Sequence, residues 1–150
     1  MSAIKEIYDT VQDMAKNKVA RDNIRNELKD EFRLNLDFLN ALHPGTKMPK
    51  ERLHKMIRNL EIAELDAFLK SPFPKKIICS GVVTEDTIKN IPARKLLRSY
   101  ALDPVDFEEL CRRIRRMIRY AKKDFEVLSK PRKSLFYIKN YIRVALRLLK

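Results

Sequence analysis

The residues able to do covalent or proton-transfer chemistry are few, and the cations are many. Two histidines and two cysteines stand beside 33 lysines and arginines in 150 residues. His43 lies in a Pro-Gly loop, and His54 follows Arg52 and precedes Lys55 on an expected solvated helix face. Neither belongs to an HExxH motif, and there is no Walker A loop, Rossmann glycine pattern or GxSxG. Cys79 and Cys111 form no CxxC and have no histidine at zinc-ligand spacing. Cys111 falls on an apolar helix face and reads as a small core residue. Carboxylate pairs such as Glu61 with Glu64, or Asp30 with Glu31, read as helix surface charge. The expectation is a protein with no catalytic residue, metal or cofactor, whose chemistry is that of its cations.

That chemistry is recognition of anions. The net charge is +13 and the pI near 9.9, enough self-repulsion to make an acidic partner a physical expectation. The excess is unevenly placed. Residues 1–42 hold 7 basic and 8 acidic side chains, residues 43–101 hold 12 and 6, and residues 102–150 hold 14 and 6. The densest run is ELCRRIRRMIRYAKKDF, residues 109–125. Phe107, Leu110, Cys111, Ile114, Met117, Ile118, Ala121, Phe125 and Leu128 recur there at helical spacing and make a core face. Arg112, Arg113, Arg115, Arg116, Arg119, Lys122 and Lys123 occupy the other side.

Glu108 can reach Arg112, Glu109 can reach Arg112 or Arg113, and Glu126 can reach Lys122 or Lys123. Arg115, Arg116 and Arg119 have no carboxylate at i±3 or i±4. Two things would offset their mutual repulsion: acidic residues of the first helix (Asp9, Asp13, Asp30, Glu31), or a bound phosphate backbone. Arginine suits planar, bidentate recognition of phosphate and carboxylate better than lysine, and five arginines against two lysines on this face lean toward recognition. Lys139, Arg143 and Arg147, spaced by four, form a second cationic ridge expected to join the first. Arg94, Lys95, Arg98, Lys130, Arg132 and Lys133 could extend it, and Tyr120 either stacks on a base or, the favoured reading, is a partly buried rim residue.

Helices must position these side chains. Only two glycines occur, too few for the tight turns of a strand-rich fold. Leu, Ile, Lys, Arg and Glu dominate, which favours helix. Residues 2–42 read as helix with two apolar faces out of line, so the chain breaks or changes neighbours near residues 18–22. After the HPGTKMP loop a helix starts near Pro49 and runs to Leu69, where SPFPKK ends it. IICSGVV is strand-like but lacks a pairing partner, so an extended loop is expected. Thr84 caps a short helix to about Ile91, and Pro92 opens another through Tyr100. Asp103 and Pro104 mark the start of the arginine helix, which runs to about Leu128. The last helix covers residues 133–149. Tyr137, Tyr141, Val144 and Leu148 widen its apolar face, which places it centrally or at a subunit interface. The expected architecture is a single all-α domain over residues 1–150, a compact bundle of five to seven helices with a C-terminal antiparallel helix pair.

The stretch RNELKDEFRLNLDFL, residues 25–39, is similar to a helix pattern in HEPN-type bundles of prokaryotic defence systems. Active members carry Arg, four to six residues, then His. No Arg stands at that distance before His43 or His54, so the resemblance implies a non-catalytic relative. The residues themselves lead to a non-enzymatic, cytoplasmic protein that binds DNA or RNA through its basic face. The alternative is an interaction module that meets an acidic protein or a second copy. Membrane association ranks last, since the apolar helix faces are needed for the core.

Overall fold

A computed structural model describes residues 16–42, 47–92, 105–125 and 131–150. Among them six helices pack together: α1 (Lys18–Leu39), α2 (Lys50–Asn59), α3 (Ala63–Lys70), α4 (Glu85–Ile88), α5 (Phe107–Lys123) and α6 (Pro131–Leu148). The fold is all-α, as composition predicts, and α5 and α6 form its most extensive contact as a C-terminal antiparallel pair. The expected apolar face between Ile4 and Ala15, the helix from Pro92 to Tyr100, and Asp103 with Pro104 lie outside the described residues.

Helix α1 starts at Lys18, at the edge of the stretch where a break or a change of neighbours is expected. Asn17 leaves helical geometry, at φ −98° and ψ 97°, and its side chain accepts from the Ala20 N–H at 3.1 Å. This side-chain cap starts the helix without Gly or Pro.

The helix expected from Pro49 to Leu69 is two helices. Leu60 is extended, and α3 begins afresh at Ala63. The cause is two side chains one turn apart on α1. The Asn35 amide donates to the Glu61 carbonyl at 2.7 Å and accepts from the Glu61 N–H at 2.8 Å. The Glu31 carboxylate accepts from the N–H groups of Glu64 and Leu65 at 2.8 and 2.9 Å. Ile62, the residue preceding α3, offers no side-chain cap, so Glu31 caps that helix from another element. Burial lifts the Glu31 carboxyl above its ordinary pKa, opposed by these two N–H bonds.

The start of the arginine helix also moves. Val83 N–H donates to the Val105 carbonyl at 2.9 Å and Phe107 N–H to the Gly81 carbonyl at 3.1 Å. This short antiparallel bridge of Val82 with Asp106 partners the IICSGVV segment and holds residues 105–106 extended. Helix α5 therefore begins at Phe107, with Asp106 accepting from the Glu109 N–H at 2.8 Å as its cap. It ends at Lys123, short of the expected Leu128. A Cβ at Gly81 would meet Leu148 Cδ2 at 3.3 Å, close enough that the leucine side chain would have to shift by a few tenths of an ångström. Helix α4 is only four residues long, closed by a Thr84–Thr87 capping box and followed by Asn90 at φ 63°.

The core runs through the whole bundle. Helix α6 lies in its middle and touches α1, α2, α4 and α5. Leu135, Ile138, Tyr141, Ile142, Val144, Ala145 and Leu149 are buried, so central placement accounts for its wide apolar face. The Asn140 amide, fully buried beside them, has no hydrogen-bond partner among the described residues. His54 is not on a solvated face: its ring stacks on Phe125, centroids 4.3 Å apart and 4° from parallel.

Candidate polyanion-binding clefts

With so few glycines, left-handed glycine caps are scarce, and cations from neighbouring elements meet the exposed carbonyls instead. Lys139 donates to the Leu42 carbonyl at 3.0 Å, Lys122 to Arg58 at 3.2 Å and Arg25 to Ile78 at 2.6 Å. Lys75 donates to Ser71 at 2.5 Å and Phe73 at 2.9 Å. Arg147 donates to Thr87 at 3.0 Å and Lys89 at 2.5 Å. A cation beside a helix C-terminus also meets the negative end of its dipole. Burial pulls the Lys75 and Lys139 pKa values down. Part of the positive charge thus serves the fold.

The α5 cations divide into three groups. At the N-terminal edge, Arg112 pairs with Glu108 at 3.5 Å and Arg113 with Glu109 at 3.0 Å, as the i,i+4 spacing predicts. At the centre, Arg115 and Arg119 both reach one Asp66 oxygen, at 3.2 and 2.6 Å. Lys70, one turn along α3, holds the other oxygen at 2.9 Å. The carboxylate facing the arginines therefore comes from α3. Glu31, one of the first-helix candidates, is occupied in capping that same helix, and Asp9 and Asp13 lie outside the described residues. The Lys70 hydrogen bond, with Arg119 and Arg115 alongside, holds the Asp66 carboxyl below its usual pKa. Arg116 and Lys123 are exposed and make no ion pair with a described residue.

Arg112, Arg115, Arg116, Arg119, Tyr120, Lys123 and Asp124 line a groove of about 410 Å³. Tyr120 is 53% exposed and lines the groove. Its ring stands among cations, the pairing of aromatic face and positive groove that suits an unstacked base.

The α6 ridge is not an extension of this groove. Lys139 is buried against the end of α1 and leaves the ridge. Arg143 and Arg147 line a different cleft, of about 360 Å³, with Lys29 and Arg33 of α1, Leu146 and Lys150. The two clefts share no residue. Lys29 and Arg33 were missed because residues 1–42 carry no net positive charge, although their own i,i+4 spacing marks a ridge. Asp66 was missed because nothing in sequence places α3 beside α5. Arg94, Lys95, Arg98, Glu126 and Lys130 lie outside the described residues.

Among the described residues no group of three His, Cys, Asp or Glu side chains is placed to hold a metal ion. No helix among them is long and apolar enough to cross a membrane. Burial raises the thiol pKa of Cys79, and raises that of Cys111, which is completely buried, much further, the reverse of what a nucleophile needs. The class defined by fold and surface is a small, strongly basic all-α bundle with cationic clefts, among the described residues, along α5 and between α1 and α6. Comparison of the chain with known protein families, with curated proteins and with solved structures finds no match.

Proposed function

We propose that the protein binds nucleic acid through phosphate contacts along α5. The observation that carries this reading is the groove itself: Arg112, Arg115, Arg116, Arg119 and Lys123 converge on one concave surface with an exposed tyrosine among them. Asp66 is compatible with that role. It satisfies Arg115 by a part-buried bond and Arg119 by an exposed one, and a phosphate could replace them with bonds of equal kind. Arg116 and Lys123 need no such exchange. The wide apolar face of α6, which suggested a subunit interface, is occupied within the bundle, so a self-association reading has no separate observation behind it.

The test is a titration with duplex and single-stranded DNA and RNA at two salt concentrations. Five phosphate contacts to duplex predict roughly 500-fold weaker binding at about 200 mM than at about 50 mM salt. Replacing Arg115, Arg116 and Arg119 together by Glu should abolish binding while helicity by circular dichroism is retained. Absence of salt-sensitive binding to every one of these nucleic acids would end the proposal.

A further inference from the structure

We infer that the cleft between α1 and α6 is a second anion site, separate from the α5 groove, that takes two or more adjacent phosphate groups. Lys29 and Arg33 stand one turn apart on α1, and Arg143 and Arg147 one turn apart on α6. Two cationic ridges therefore face one another across a space of about 360 Å³. No Asp or Glu side chain lines it, in contrast to the α5 surface, where three carboxylates have already paired with four arginines. Asp30 and Asp37 stand three and four residues from Arg33 along α1, yet neither forms an ion pair with it, and Lys29 and Arg143 likewise have no ionic partner among the described residues.

The ridges are held in place by the fold. Arg147 is fixed by the carbonyls of Thr87 and Lys89, and α1 and α6 share one of the largest helix contacts. The repulsion of like charges across the cleft is thus maintained by packing, and an anion bound there relieves it without moving the backbone. With Lys150, five cations line the cleft, more than one phosphate dianion neutralises. The volume lies at the lower end of the small-ligand range of about 300–1,000 Å³. Both point to a short run of phosphates, from either a nucleoside polyphosphate or consecutive positions of a nucleic acid strand.

The sources are separated with two probes, inorganic tripolyphosphate by calorimetry at low salt and a fluorescent single-stranded RNA. The proteins are wild type, Lys29→Glu with Arg33→Glu, Arg143→Gln, and the α5 triple variant. If the ligand is a free polyphosphate, tripolyphosphate binds the wild type. Both cleft variants then weaken it about tenfold or more, and the α5 variant leaves it unchanged. If the ligand is a strand, the cleft variants reduce the salt slope of RNA binding by about one unit per cation removed, whatever tripolyphosphate does. Should the double variant not fold, Arg33→Gln, at an exposed position, and Arg143→Gln give the same reading. The site is refuted if neither probe responds to any cleft variant. Loss of RNA binding in the α5 variant alone bears on the α5 groove and not on this cleft.

Discussion

Asp66 is the residue on which the α5 surface turns. One carboxylate on α3 holds Arg115, Arg119 and Lys70 at once, so it competes with any incoming phosphate for two of the groove's arginines. Asp66→Asn should therefore tighten nucleic-acid binding by about 1 kcal/mol, roughly fivefold, read by the same titration. Weaker binding in that variant would mean that Asp66 orients the arginines and does not compete with the ligand. The same residue has a signature in acid. Its pKa is depressed in the fold, so its stabilising contribution is present above the ordinary carboxylate pKa and is lost as pH falls through the lower folded value. The difference in melting temperature between wild type and Asp66→Asn should close in that acid range and be constant near neutrality.

At the scale of elements, α3 depends on α1 for its existence as a separate helix. Its start has no side-chain cap of its own, and Glu31 supplies two acceptors from 33 and 34 residues away. Glu31→Ala leaves both N–H groups without that acceptor and should cost about 2 kcal/mol, seen as a lower urea midpoint. Glu31→Gln, with a single acceptor oxygen, should fall between. Because α3 carries Asp66, the same substitution should also loosen the pairing of Arg115 and Arg119. A tertiary cap of this kind leaves no mark in local sequence. The unbroken apolar spacing from Leu53 to Leu69 predicts one helix, and only the partners on α1 divide it. The shifted start of α5 has a similar origin. Asp103-Pro104 is the stronger local signal, but Asp106 is the cap because the backbone just before it pairs with residues 81–83. Where no distant partner intervened, as at Thr84 and along the core face of α5, local pattern and fold agree.

For the whole molecule, the net charge of +13 is divided between structure and surface. Lys75, Lys122, Lys139, Arg25 and Arg147 spend their charge on backbone carbonyls, and the two clefts gather Lys29, Arg33, Arg116, Lys123 and Arg143, which have no carboxylate partner among the described residues. Repulsion within each cleft should make the free protein less stable at low ionic strength. Raising sodium chloride from about 50 to 500 mM shortens the screening length and should raise the melting temperature by about 2–4 °C, the equivalent of roughly 1 kcal/mol for a chain of this size. A melting temperature that fell with salt would show that net attraction, not repulsion, dominates the surface.

Composition and periodicity alone determined the helical class, the core face of the arginine helix and the two pairs Arg112–Glu108 and Arg113–Glu109, because each rests on neighbours within one or two turns. Tertiary structure decided which cations are free. Lys139 and Arg143 lie on one predicted ridge, yet one ends against a helix terminus and the other in an open cleft. Arg115 and Arg119 lack a carboxylate on their own helix and find one on α3. Lys29 and Arg33, in the least basic part of the chain, meet Arg143 and Arg147 only when α1 packs on α6. The reason is range: a charge pair or a cap can join any two elements that fold side by side, and sequence spacing reports only those within reach along one helix.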